Sequence, residues 1–228
     1  MRMADPSSIR GVDAFCSWSG GKDSCLALHR AVKQDLRPRM LLTIMNETGA
    51  RSRSHGLAMD VLQQQAAALN IPLVMRSASW NEYERVFMET LEWIKSNGIE
   101  YGVFGDIDLE DHLEWVRRVC GSVGVKPIQP LWKSDRRDLI DEFLRSGFRA
   151  TIISVKDEVL GPEFLGRELT LDLADEFREA GIDPSGEEGE YHTVVTTGPL
   201  FSGSLELVNK GVVRRDGYSF LDFASRLK

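Results

Sequence analysis

Five short segments that read as strands punctuate the first half of this chain, at residues 12–18, 40–45, 73–76, 101–104 and 126–129. Between them lie segments with helical spacing of apolar residues, at 24–32, 55–69, from Asn81 onward and at 109–120. In the third of these, Tyr83, Val86, Phe87, Thr90, Leu91 and Ile94 fall on one helical face, and Asn81 with Glu84 reads as a capping box. Strict strand–helix alternation leaves few options: short parallel strands need helical crossovers, and those crossovers cover both faces of the sheet. The expected fold class is therefore α/β, a doubly wound parallel sheet. In open sheets of this kind ligands bind beyond the carboxyl ends of the strands.

What leaves the first strand at that edge is Ser19-Gly20-Gly21-Lys22-Asp23-Ser24. Adjacent glycines let neighbouring backbone N–H groups point outward together, and a helix starting just beyond adds its positive dipole end. Such a turn suits phosphate. It is neither the phosphate loop with four spacer residues nor a dinucleotide fingerprint, because neither spacing is present. Ser24 is available as N-cap. Asp23 has two readings, a metal ligand or a helix-capping carboxylate.

A change of texture follows Pro127 and Pro130. A helix is expected at 136–146, a strand at 150–155 and a helix at 170–180. Glycine-rich turns and short β segments then occupy 191–196, 205–208 and 212–214. This predicts two domains, residues 1–126 and a smaller mixed α/β domain at 127–228. The 228 residues are ample for both cores.

Composition narrows the partners. A formal net charge of −7 argues against a broad nucleic-acid surface. Cys16, Cys25 and Cys120 have no metal-like spacing, so reduced thiols are expected; Cys25 reads as a reactive thiol or a packed helix residue. Residues 1–11 contain no apolar leader and no run approaches a membrane span, so a cytoplasmic location with no membrane partner is expected.

Ser19–Ser24 resembles the pyrophosphate loop of the ATP pyrophosphatase superfamily, whose members cleave ATP between the α and β phosphates. A second segment sharpens the likeness. Residues 186–193 read Gly-Glu-Glu-Gly-Glu-Tyr-His-Thr, and Pro199-Leu200-Phe201 follows. Together the two segments resemble the diphthine–ammonia ligase family, over residues 12–201. Gln65-Ala66 before Ile71-Pro72-Leu73, the turn at Gly105, Pro130-Leu131-Trp132 and Leu165-Gly166-Arg167 fit as well. The segment from Gly105 to His112 is more acidic than the family's usual turn, and His192 stands where eukaryotic members carry Glu.

The resemblance implies an adenine-nucleotide α-hydrolase-like, Rossmann-like domain and a family-specific carboxyl-terminal domain that meets the acceptor. It also implies ATP-dependent amidation of diphthine on an elongation factor, or of another carboxylate, with ATP and Mg2+ required. On this reading Ser19, Gly20, Gly21, Lys22, Asp23 and Ser24 hold the phosphates, with Asp23 the nearest metal ligand. Asn46, His55 and Gly105 lie near the nucleotide. Asp106, at a strand end, joins Lys22 as a catalytic candidate, while Asp108 and Asp111 read as a helix start favoured by the dipole. Glu187, Glu188 and Glu190 form an acidic turn suited to a cationic acceptor, with Tyr191 offering an aromatic face. Glu190 and His192 alternate about Tyr191, so on a strand they would share a side and could move a proton. No glutaminase segment is present, so free ammonia is the expected nitrogen source. Homodimerisation is compatible with the sequence. Two competing readings remain: a tRNA-modifying pyrophosphate-loop enzyme, disfavoured by the negative charge and the lack of paired cysteines, and an adenine-nucleotide-binding protein without turnover.

Overall fold

The computed structural model describes residues 10–228. Residues 1–9, which hold most of the stretch without an apolar leader, lie outside the described residues. The chain forms two compact units, each discontinuous in sequence. The first contains residues 23–59 and 71–133 with the stretch through Ser19; the second contains Gly20–Lys22, Asp60–Asn70 and Ser134–Lys228.

In the first unit β1 (Asp13–Ser17), β2 (Arg37–Met45), β3 (Leu73–Ser77), β4 (Tyr101–Val103) and β5 (Lys126–Ile128) form one parallel sheet, ordered β3-β2-β1-β4-β5. The strand order reverses between β1 and β4, and a doubly wound sheet opens its binding crevice at such a point. Successive side chains of β1 point to opposite faces. Phe15 enters a cluster with Phe87, Leu91, Ile94, Val116, Val119 and Cys120, carried by α3 (Tyr83–Ser96) and α4 (Glu110–Val123). Cys16 faces the other way, its Sγ 3.9 Å from the Ser24 carbonyl in α1 (Lys22–Lys33). Helices therefore cover both faces of the sheet. Phe87 packs against Trp115 at 5.1 Å between ring centroids, and Trp115 Nε1 donates to Glu84 at 3.0 Å, joining α3 to α4.

The second unit contains α2 (Met59–Leu69), α5 (Arg136–Arg145), α6 (Leu171–Glu179) and an antiparallel sheet. Its strands are β6 (Arg149–Lys156), β7 (Tyr191–Thr197), β8 (Leu205–Arg215) and β9 (Tyr218–Leu227), ordered β7-β6-β9-β8. Asp135 caps α5 by accepting from the Arg137 and Asp138 amides, and Thr170 caps α6 through Leu173. Phe143, Phe148, Leu173, Phe177, Tyr191 and Val195 are among its buried side chains.

Several elements depart from the sequence expectation. Helix α1 starts at Lys22, so Ser24 lies in its first turn rather than at the cap. Helix α2 starts at Met59, not residue 55, because residues 46–58 instead make β-bridges at Met45–Ser52 and Arg51–Ala58. Asn81 sits inside a 3₁₀ turn, Trp80–Glu82, and Ser79 Oγ donates to Glu82 at 3.0 Å. Residues 205–215 form one strand with a bulge between Asn209 and Gly211, where two strands are expected. Strand β9 is not anticipated at all. A legible signal existed: Asp216-Gly217, both at positive φ, is a two-residue hairpin turn.

Candidate active site

At the exit of β1, Trp18 stays tied to β2: its amide donates to the Leu42 carbonyl at 2.8 Å and its carbonyl accepts from Thr43 Oγ1 at 2.6 Å. The chain then turns through Gly20, whose φ of +81° suits only glycine at low cost. Helix α1 begins two residues later, leaving Gly21 at the N-cap position. Ser19 Oγ and Ser24 Oγ lie 3.0 Å apart across the loop.

Gly20–Lys22 is bound within the second unit. The Gly20 carbonyl accepts from the Val195 amide at 3.0 Å and from Gln65 Nε2 at 2.9 Å. The same Gln65 Nε2 donates to the Val195 carbonyl at 2.9 Å. The Lys22 amide, one of the orphan donors of a helix N-terminus, donates to Thr193 Oγ1 at 3.2 Å. Lys22 is only 5% exposed, and its Nζ stands 5.6 Å from the centroid of the Tyr191 ring. The ring's negative face attracts an ammonium and so fixes the direction of the side chain.

Within the first unit, the turn after β4 packs against the start of α1. Gly105 follows β4, and a Cβ there would lie 2.9 Å from the Ser24 nitrogen and 3.0 Å from the Asp23 carbonyl carbon. Only glycine lets the chain pass so close to the first turn of α1. Asp106, the next residue, is mostly buried; its Oδ2 accepts from Gln129 Nε2 at 3.2 Å and its Oδ1 lies 3.7 Å from His112 Nδ1. Burial pushes the Asp106 carboxyl above its ordinary range, Gln129 and His112 oppose that shift, and the charge of Asp23 adds to it. Glu110 and Asp111 occupy the first turn of α4, where the dipole favours them, with Leu109 at the cap position and Asp108 before it.

The Asp106 shift has a stability consequence. A carboxyl whose folded pKa is raised contributes stability below the unfolded carboxylate range and loses it as pH rises through the folded value. Asp106→Asn is therefore expected to raise the melting temperature at pH 7. The gain should vanish below about pH 4, where the wild-type carboxyl is protonated in both states. Thermal scans at both pH values check this; equal melting temperatures at pH 7 would refute the burial argument.

Asn46 and His55, expected near a nucleotide, lie in the 46–58 segment of the first unit. Asn46 Oδ1 accepts from the Ala50 and Arg51 amides at 3.1 and 3.3 Å and from Thr48 Oγ1 at 2.9 Å, so its carbonyl end organises its own turn. His55 sits in the turn before α2.

The acidic turn is an ordered structure of the second unit. Asp183 Oδ2 accepts from Arg136 at 2.6 Å and from the Glu187 amide at 2.9 Å, while its Oδ1 accepts from the Ser185 amide. Glu190, 8% exposed, accepts from the Glu188 amide at 3.0 Å. Tyr191 is buried: its hydroxyl donates to the Pro184 carbonyl at 2.6 Å and its ring packs 5.3 Å from that of Phe177. The aromatic face expected to meet a cationic acceptor is thus turned toward the protein's own Lys22. His192 follows in β7, in register with Ser154 of β6.

Gln65 and Thr193 are absent from the sequence-based site. Gln65 left a trace: it is a polar residue among Val61, Leu62, Ala66, Ala68 and Leu69 on the buried side of α2, and a buried amide needs specific partners. Thr193 closes the 186–193 motif, but nothing local marks its hydroxyl as the acceptor for the Lys22 amide. Among the described residues, no three or more His, Cys, Asp or Glu side chains are grouped to hold a metal ion. Cys16 and Cys25 are fully buried and burial pushes their thiols up, so Cys25 is a packing residue. Among the described residues, no helix is long and apolar enough to cross a membrane.

Comparison with known proteins identifies the lineage. The family model described as "Diphthamide synthase N-terminal domain" matches residues 13–127, and "Diphthamide synthase C-terminal domain" matches residues 135–223. The chain belongs to the diphthamide synthase family. Among its relatives in that family are the proteins named diphthine–ammonia ligase of Bos taurus and Homo sapiens, each 26% identical over 90% of this chain and 86% of the relative. The Schizosaccharomyces pombe protein of the same name is 33% identical over 102 residues, 43% of this chain and 17% of that longer protein. A solved structure described as a predicted subunit of tRNA methyltransferase, from Methanocaldococcus jannaschii, is 17% identical with a TM-score of 0.48, covering 82% of this chain and 98% of that one. Both diphthamide synthase segments fall within residues 10–228, and the loop at Ser19–Ser24 lies inside the first.

Proposed function

We propose that this protein is an ATP-dependent ligase that converts the carboxylate of diphthine to an amide with free ammonia, releasing AMP and pyrophosphate. The observation that carries the reading is the Ser19–Ser24 loop, with its paired hydroxyls, its helix N-terminus and the buried Lys22 ammonium. The naming of full-length relatives as diphthine–ammonia ligases supports it.

Oxide is a poor leaving group, so a carboxylate must be activated before ammonia can displace it. A carboxylate oxygen attacks the α-phosphorus of ATP, the bond to the bridging oxygen breaks, and pyrophosphate departs. Ammonia then attacks the acyl carbon, AMP leaves with its oxygen, and the nitrogen loses a proton. The first step needs charge neutralised on the departing phosphates. Ser19, Ser24, the backbone of Gly20 and Gly21 and the Lys22 ammonium are the donors we assign to it. Asn46 and His55 are assigned to the neighbourhood of the nucleotide.

Magnesium, when bound, would offset the negative charge of the phosphates. Asp23 and Asp106 suit it, since the charge of one already disfavours ionisation of the other. Asp106, mostly buried and beside His112, is also our candidate for holding the proton released from ammonia. In the second unit, Glu187, Glu188 and Glu190 are assigned to the cationic end of diphthine, with Glu190 and His192 as the proton-transfer pair. Tyr191 acts there by aiming Lys22. Because the acceptor belongs to a translation factor, we place the reaction in the cytoplasm.

The test combines the protein, ATP, magnesium and ammonium with elongation factor carrying diphthine. AMP should appear with the mass change from acid to amide. If a folded protein yields neither, the ligase reading is wrong.

A further inference from the structure

The Gly20–Gly21 peptide is the part of the loop whose orientation matters most and whose own chain constrains it least. Two glycines in succession can flip a peptide plane at little steric cost. In the folded protein that plane is pinned. Both acceptor positions of the Gly20 carbonyl are used, one by the Val195 amide of β7 and one by Gln65 Nε2 of α2. The Gln65 amide is 0% exposed and its nitrogen also holds the Val195 carbonyl, so one side chain clamps the loop peptide to the strand. No described peptide bond is cis. In a planar trans peptide the N–H points opposite to the C=O. Fixing the Gly20 carbonyl toward β7 therefore fixes the Gly21 N–H away from it.

We infer that Gln65 is a positioning residue: it holds the Gly20–Gly21 peptide in the orientation that presents the Gly21 N–H to the departing pyrophosphate. The inference rests on the assignment of residues 19–24 to that group. Gln65 touches no substrate; it acts through the Gly20 carbonyl. Thr193, which receives the Lys22 amide, continues the same attachment of the loop to β7. The strand thereby sets two consecutive donors of the loop.

The decisive variant is Gln65→Met, which keeps length and bulk and removes the donor. Inorganic pyrophosphate binding, followed by calorimetry, should weaken by about tenfold, as for a lost hydrogen bond to a buried group. The KM for ATP should rise by a similar factor while the KM for ammonium stays unchanged. Unchanged pyrophosphate affinity would overturn the inference. So would a uniform loss in all constants together with a lowered melting temperature, which marks a merely structural role. If the variant fails to fold, the wild-type protein decides: on adding pyrophosphate to 15N-labelled protein, the Gly21 amide should shift more than the Val195 amide. A Gly21 amide that stays put while pyrophosphate binds overturns the inference. Should wild-type protein bind no pyrophosphate at all, the loop assignment itself fails, and Gln65 with it.

Discussion

Replacing Lys22 with alanine will slow pyrophosphate release from ATP by about a hundred- to a thousandfold, the usual loss when one preorganised donor to developing charge is removed. The expectation follows from where the ammonium sits. Lys22 is at the first position of α1 and almost wholly buried, with Nζ over the Tyr191 ring. A cation so placed has little water to lose when phosphate arrives, so its attraction is fully available to the transition state. The protein should remain folded, because alanine is a good helix former and the Lys22 amide keeps its bond to Thr193. Arginine should not restore activity, since a planar fork cannot replace a compact ammonium in the same space. Steady-state release of pyrophosphate, with circular dichroism as the folding control, makes the measurement. Turnover by Lys22→Ala at the wild-type rate would mean that the phosphates bind elsewhere.

Gly105→Ala should produce the second large effect, and through a residue with no functional group. Its new methyl would stand 2.9 Å from the Ser24 nitrogen and 3.0 Å from the Asp23 carbonyl carbon. Both are backbone atoms of a helix turn, so relief requires moving α1 or the end of β4. Overpacking of this kind costs about 1–3 kcal/mol of stability. A displacement of several tenths of an ångström in the loop should also lower the rate by roughly ten- to a hundredfold, since placement errors near 1 Å can cost that much. Urea midpoints and pyrophosphate release together test both parts. Wild-type values for both would show that β4 and α1 do not pack as closely as described.

These two residues mark different degrees of legibility in the chain. Lys22 stands out in the sequence because Ser-Gly-Gly-Lys-Asp-Ser is contiguous and sits between an apolar run and a helical pattern. Gly105 is legible only as the glycine after a short strand; the reason it must be glycine is α1, eighty residues earlier. The parallel sheet is readable because each strand and its crossover carry their own periodicity. The β8–β9 hairpin is legible only at its turn, Asp216-Gly217; its strands are obscured, because Gly211 mimics a strand end and the apolar positions of β9 are interrupted by Ser219, Asp222 and Ser225. Tyr191 differs again. An aromatic beside three carboxylates invites a ligand role, yet its ring packs on Phe177 and faces Lys22.

What the linear chain settled by itself is local: a glycine turn feeding a helix, strands alternating with crossovers, and a turn rich in carboxylates. Those features depend on neighbours a few residues apart, through backbone freedom and side-chain periodicity. Only tertiary structure decided which way the loop peptide faces, how dry Lys22 and Asp106 are, and that Gln65 clamps Gly20 to β7. Each of these depends on groups far apart in sequence, and burial and hydrogen-bond partners exist only once the chain has packed.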